Sequence, residues 1–76
     1  MRTDTEIEIL VFKTNIDTLQ DVELVSDALQ SCSDIISWSI DLEDIDKVLR
    51  IESDYDITLR IEQMINANGY LCLALE

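Results

Sequence analysis

The sequence predicts an α+β fold in which one sheet carries two helices. Apolar and polar residues alternate in short segments, while two other segments place apolar residues at helical spacing. The hydrophobic content of 47% exceeds that of disordered acidic chains, so we expect a folded core. A chain of 76 residues has room for one such core, which predicts a single domain over residues 1–76.

The first strand is predicted over residues 6–14, where apolar and β-branched residues occupy both faces. A helix is predicted next, over residues 18–32, because apolar residues recur there every three or four positions. The apolar side of this helix is predicted to contain Leu19, Val22, Val25, Leu29 and Cys32.

A hairpin follows, with strands predicted over residues 36–43 and 47–52. In the first of these strands Trp38, Ile40 and Leu42 alternate with polar residues, as in a strand with one buried face. The polar segment EDID between the strands forms the turn.

The second helix is predicted over residues 58–68, with Thr58 as its N-cap. Gly69 then supplies the left-handed conformation that ends many helices, and a last strand is predicted over residues 70–75. With right-handed crossovers, the order βαββαβ gives a ferredoxin-like sandwich. Its antiparallel sheet has strand order 4-1-3-2, and both helices lie on one face.

The charge excludes one class of partner. The chain has 17 acidic and 5 basic residues, for a net charge of −12, and the phosphates of nucleic acid would be repelled over most of the surface. No apolar run has the length of a membrane span, and the first residues lack a signal peptide, so we expect a cytoplasmic protein without membrane contact. Two widely separated cysteines, Cys32 and Cys72, suit a reducing compartment.

Catalytic motifs are also missing from the sequence. The chain has no histidine, which excludes a histidine-dependent triad, and its single glycine excludes a glycine-rich phosphate loop. A two-layer domain of this size offers little cleft for acid–base chemistry. We therefore expect a protein that is not an enzyme and has no cofactor.

The chain resembles the heavy-metal-associated domain of small copper chaperones and metal-transporting ATPases. The resemblance covers nearly the whole chain and rests on the element order, on the segments FKTNI, WSIDLE, KVL and ANGY, and on the apolar side of the first helix. In that family the loop before the first helix reads Met-x-Cys-x-x-Cys. Alignment from FKTNI places Ile16 at the methionine, Thr18 at the first cysteine and Asp21 at the second. The resemblance thus implies a metallochaperone-like fold whose two thiolates are missing here.

Without these thiolates we expect no bound copper or zinc. Copper(I) is captured by thiolate sulfur, and the hydroxyl of Thr18 and the hard carboxylate of Asp21 do not replace a thiolate pair. The remaining cysteines do not compensate. Cys32 is expected at the opposite end of the first helix from the loop, and the Cys72 side chain is expected to point into the core.

Two roles remain open for residues 17–21. Asp17-x-x-Gln20 and Thr18-x-x-Asp21 both approximate a capping box, which indicates that the loop starts the helix. Alternatively, Asp17 and Asp21 bind a hard cation, or a partner protein completes a metal site there. Two exposed carboxylates fall short of the 6–8 oxygen ligands of a calcium site, which favours the cap.

The sheet face without helices is the more unusual feature. Alternation predicts that Leu10, Phe12, Leu49 and Ile51 face the helices, and the family pattern turns the leucines of the last strand outward. The resulting candidate interface consists of Ile7, Ile9, Val11, Val48, Leu71, Leu73 and Leu75. Such a patch predicts an interaction module that binds a protein partner or a second copy of itself. The alternative is a protein that binds or transports metal ions through the residue 17–21 loop.

Overall fold

The computed structural model describes residues 7–75 and contains all of the predicted helices and strands. The elements are β1 (Glu8–Thr14), α1 (Leu19–Gln30), β2 (Ile35–Asp41), β3 (Val48–Ser53), α2 (Thr58–Ala67) and β4 (Cys72–Ala74). Their ends differ from the predicted ends by a few residues at most, as frayed termini allow. Residue 6, the predicted start of the first strand, lies outside the described residues. Neither helix in the described part of the chain has the length and apolar character needed to cross a membrane.

The strands form one antiparallel sheet in the order β2-β3-β1-β4, which confirms the predicted order 4-1-3-2. β1 is central and pairs Leu10 with Ile51 of β3. On its other side β1 pairs Thr14 with Cys72 of β4. β2 and β4 are therefore the edge strands, and the β1–α1 loop lies beside the segment that enters β4.

The core lies between the sheet and the two helices. The sheet contributes Phe12, Leu49 and Ile51, which are fully buried, as the alternation predicted. The helices add Val25, Leu29, Ile61 and Ile65, which are also buried. Trp38, Ile40 and Leu42 are half-buried and pack against this cluster.

The apolar side of α1 is narrower than predicted, because the side chain of Leu19 is 75% exposed. Leu19 lies six positions before Val25, which at about 100° per residue is roughly a third of a turn away from the buried side. The prediction that Leu19 faces the core was therefore wrong. Val25 and Leu29 are buried, and Val22 and Cys32 pack against the core.

The predicted N-cap of α2 was also wrong. Thr58 is the first helical residue, and Ile57 holds the N-cap position without a side-chain hydrogen bond. Asp56 acts in its place, because its Oδ1 accepts hydrogen bonds from the Thr58 N–H at 2.9 Å and the Thr58 hydroxyl at 2.5 Å. At the other end Gly69 has φ = +93°, which confirms the predicted left-handed helix end.

Candidate functional site

A buried apolar side chain anchors the β1–α1 loop, residues 15–18, to the core. Ile16, the residue at the predicted methionine position, is fully buried in the core. The Ile16 N–H donates to the hydroxyl of Thr14 at 3.2 Å, and that hydroxyl donates to the Lys47 carbonyl at 2.6 Å. The loop is thus held to the core and to the residue before β3.

Thr18 and Asp21 form reciprocal hydrogen bonds at the start of α1. Thr18 is the N-cap, and its Oγ1 accepts a hydrogen bond from the Asp21 N–H at 3.1 Å. In return Asp21 Oδ2 accepts from the Thr18 N–H at 3.1 Å and from the Asp17 N–H at 3.3 Å. The predicted Thr18-x-x-Asp21 capping box is therefore confirmed. The overlapping Asp17-x-x-Gln20 box was wrong, because a helix has one N-cap and Thr18 occupies it.

The second oxygen of Asp21 is bound by a distant tyrosine. The hydroxyl of Tyr70, in the segment before β4, donates to Asp21 Oδ1 at 2.7 Å. This bond lowers the pKa of Asp21, and the hydrogen bond from the Thr18 backbone lowers it further, because both favour the charged carboxylate. The same bond raises the pKa of Tyr70, since its hydroxyl must keep its proton to donate.

Asp17 is held by a lysine from another loop. Lys47 Nζ lies 3.1 Å from Asp17 Oδ1 and donates to the Leu42 carbonyl at 2.8 Å. The backbone at Lys47 has φ = 46°, a left-handed conformation that places its side chain beside the β1–α1 loop. The carboxylates of Asp17 and Asp21 therefore both have partners. Sequence periodicity did not indicate Lys47 or Tyr70, because neither contact lies within one helix or strand.

The two thiols lie apart from this loop chemistry. Cys72 is buried, and burial together with the nearby Glu62 raises its pKa to about 12. Cys32 is half-buried, with its Sγ 3.9 Å from Arg60 Nη1. Both cysteines are free thiols. Within residues 7–75 no three of the histidine, cysteine and acidic side chains are grouped as metal ligands.

The helix-free face of the sheet exposes large apolar side chains on β1 and around β4. The exposed fractions are 43% for Ile7, 47% for Ile9, 50% for Leu71, 54% for Leu73 and 41% for Leu75.

Two contacts make this area continuous across the strands. Leu73 pairs with Lys13 of β1, and the Leu75 N–H donates to the carbonyl of Val11 at 2.7 Å. Val11 is half-buried between these neighbours. We call the resulting surface the β1–β4 patch, formed by Ile7, Ile9, Val11, Leu71, Leu73 and Leu75.

The other half of this face is polar. Arg50 pairs in register with Val11, and Glu52 pairs with Ile9, so both share the face with the patch. Glu52 accepts a hydrogen bond from the Ser37 hydroxyl at 2.9 Å and lies 3.6 Å from Arg50. Val48, predicted as part of the interface, is half-buried at the start of β3, the strand next to β1.

Comparisons with known proteins find similarity in structure alone. No family model matches the chain, and no curated protein matches it by sequence. Among solved structures, the N-terminal domain of ZntA in the Zn(II) form superposes with a TM-score of 0.76. Its sequence identity is 16%, over 90% of this chain and 92% of that one.

Two further solved structures also share the fold of this chain. The apo HMA domain of the copper chaperone for superoxide dismutase has a TM-score of 0.77 and 15% identity, covering 100% of this chain and 79% of that one. The CsoZ metallochaperone has a TM-score of 0.73 and 18% identity, covering 90% and 99%. The chain has the fold of a heavy-metal-associated domain. Identities this low show the shared fold, and the predicted ferredoxin-like sandwich is confirmed.

In this heavy-metal-associated fold, the structure brings Thr18 and Asp21 together in the cap of α1, while the Ile16 side chain lies in the core. A second polar cluster lies at the start of α2 and was not indicated by the sequence. There the Tyr55 hydroxyl donates to Asp34 Oδ1 at 2.6 Å, and Arg60 forms an ion pair with Asp34 Oδ2. These bonds join the start of β2 to α2. The polar groups of the three side chains thus bind one another.

Proposed function

We propose that this chain is a small, non-enzymatic protein-interaction module that has a metallochaperone-like fold without a thiolate metal site. We propose further that residues 1–76 form one domain and act in the cytoplasm, where two free thiols remain reduced. One observation carries the proposal. Thr18 and Asp21, at the positions that the family resemblance assigns to the metal cysteines, hydrogen-bond to each other as a helix cap.

The chemistry of this cap opposes metal capture. Both carboxylate oxygens of Asp21 accept hydrogen bonds. One accepts from the backbone N–H groups of Asp17 and Thr18, and the other accepts from the Tyr70 hydroxyl. A metal ion bound there would have to displace these donors, which already satisfy the carboxylate. Thr18 offers a neutral hydroxyl, a weak ligand for soft ions such as copper(I).

The alternative, a site for a hard cation or one completed by a partner, has less support. Asp17 would be the second ligand, but its carboxylate forms an ion pair with Lys47. The Lys47 ammonium brings positive charge to the place where a cation would bind. Two carboxylates that already have partners also fall short of the coordination number that calcium requires.

The working surface in this proposal is the β1–β4 patch. Each Å² of apolar surface that leaves water contributes about 25 cal/mol, so a patch of several hundred Å² favours a protein partner. Nucleic acid is a poor partner because of the charge of −12. No membrane contact is proposed.

The proposal is tested by titrating the protein with copper(I) and zinc(II) while following the backbone amide signals of residues 15–22. We expect these signals to stay in place, because the loop has no thiolate and the carboxylates of Asp17 and Asp21 already bind other groups. The double variant Thr18→Cys/Asp21→Cys is the positive control, because it supplies the missing thiolates. One equivalent of either metal on the unmodified protein, with shifts confined to the loop, would overturn the proposal.

A further inference from the structure

We infer that the occupant of the β1–β4 patch is a second copy of this chain, which packs its own β1–β4 patch against it. This inference rests on the proposed function, in which the patch is the working surface, and adds the identity of the partner. Three features of the structure support a second copy: the charge around the patch, the covered edge of β4 and the area of the patch.

The distribution of charge on the surface determines which faces of two acidic copies can come into contact. At a net charge of −12, two copies repel each other over most orientations. The patch itself carries no charged side chain, and beside it Lys13 and Arg50 form ion pairs with Asp46 and Glu52, so its border is close to neutral. Glu23 and Asp27 lie on α1, on the other side of the sheet, whereas Glu62 reaches from α2 to the edge of β4. Packing patch to patch therefore keeps most of the negative charge of the two copies far apart.

The free edge of β4 offers no competing route to association. The Leu75 N–H points toward β1, where it donates to Val11, so the Ala74 N–H points away from the sheet. Glu62 Oε2 from α2 accepts this outward hydrogen bond at 3.0 Å. A carboxylate over the edge blocks the pairing of another strand, as protected edge strands do. Pairing of two copies through β4 is therefore disfavoured, which leaves the face of the patch as the contact on this side of the sheet.

The area of the patch sets the strength of the contact. From the exposed fractions of its side chains, the patch offers about 500 Å² per copy, so two copies would bury about 1,000 Å², the lower limit for a specific interface. An area at this limit is typical of weak association, so we expect the dimer only at high protein concentration.

A twofold axis parallel to the strands places Leu75 of one copy over Val11 of the other and Leu73 over the aliphatic part of Lys13, because these residues are level with each other on β1 and β4. With the axis over the patch, β1 of one copy lies across the partner's β4, and the two sheets stack about 10 Å apart. The polar halves then extend past the contact in opposite directions. Arg50 and Glu52 thereby remain at the rim, in water, as charged residues do in most interfaces.

The test is sedimentation velocity from about 5 µM to about 1 mM protein. We expect the average mass to rise with concentration from the monomer mass of 8.7 kDa toward twice that value. Added salt should strengthen the dimer, because it screens the repulsion between two acidic copies.

Two matched variants separate the patch from the effect of charge. Leu73→Asp and Leu59→Asp make the same chemical change at exposed leucines, on the patch and on α2 respectively. We expect Leu73→Asp to weaken association at least about tenfold and Leu59→Asp to have a small effect. Val11→Asp should act like Leu73→Asp, with circular dichroism and amide spectra confirming that each variant is folded.

Two results would overturn the inference: a wild type that stays monomeric at the highest concentration, or equal weakening by Leu73→Asp and Leu59→Asp. Neither would affect the proposed function, which allows a heterologous partner on the same patch. The proposed function fails separately, through metal binding at residues 15–22.

Discussion

The Tyr70 hydroxyl donates a 2.7 Å hydrogen bond to Asp21 Oδ1 across a separation of 49 residues. This bond joins the first turn of α1 to the segment that enters β4. Because Asp21 also accepts from the backbone at Thr18, one carboxylate ties three parts of the chain together at the β1–α1 loop.

Replacing Tyr70 with phenylalanine should raise the pKa of Asp21 toward its usual value. The hydrogen bond from Tyr70 is the largest cause of the lowered pKa, and the variant removes it without changing the ring. Carboxyl carbon chemical shifts followed over pH would report the change. Tyr55→Phe is the matched control, because the Tyr55 hydroxyl lowers the pKa of Asp34 instead. An Asp21 pKa that responds equally to both variants would refute the assignment.

The hydrogen bond between Tyr70 and Asp21 also predicts how the stability of the domain depends on pH. The folded-state pKa of Asp21 is lowered, so its contribution is present above about pH 4 and is lost as the pH falls through the folded-state pKa. The pKa of Tyr70 is raised, so its contribution is present below about pH 10 and is lost as the pH rises through the folded-state value. Urea unfolding should show the largest difference between wild type and Tyr70→Phe between these limits. A difference that stays constant down to about pH 2 would contradict this origin.

Removing the N-cap hydroxyl should destabilise the domain. Thr18→Ala leaves the Asp21 N–H without its acceptor, and the loss of such a cap costs about 1 kcal/mol. For a domain of this size the midpoint of thermal unfolding should fall by about 4–8 °C. Thr18→Ser is the control, because it keeps the hydroxyl and should lose much less. Equal losses in the two variants would show that the methyl group, rather than the cap, stabilises this position.

Restoring cysteines at the loop should create a metal site. In Thr18→Cys/Asp21→Cys the sulfurs take the N-cap and N3 positions, which already lie close enough to exchange hydrogen bonds. We expect one equivalent of copper(I) or zinc(II), measured by elemental analysis after dialysis. The single variant Thr18→Cys should retain no stoichiometric metal. Failure of the double variant to bind either ion would show that the loop lacks the geometry, and not only the thiolates.

The two native thiols should differ in reactivity. Burial of Cys72 and a pKa of about 12 leave very little thiolate at neutral pH, whereas Cys32 is partly exposed beside Arg60. Mass spectrometry after labelling with iodoacetamide should find Cys32 modified first and Cys72 modified only in urea. Equal labelling rates in the native protein would show that β4 opens readily from the sheet.

Sequence reasoning was accurate where the determining signal was local. The burial of Phe12, Leu49 and Ile51 follows from alternation along single strands, and the helix end at Gly69 follows from its tolerance of positive φ. Leu19 was misplaced because a helical pattern alone does not show how wide the buried side will be. Packing against the sheet decided that width, and it left Leu19 in water.

The cap of α1 was recognised from four consecutive residues, because Thr18 and Asp21 lie one helical turn apart and interact within it. The tertiary structure alone decided which other groups meet the loop. Tyr70 reaches Asp21 because β4 lies beside β1, and Lys47 reaches Asp17 because the residue before β3 lies against the same loop. Contacts between distant segments follow no helical or strand period. Such contacts depend on how the strands pair. A local pattern indicates only the face of its helix or strand on which each residue lies.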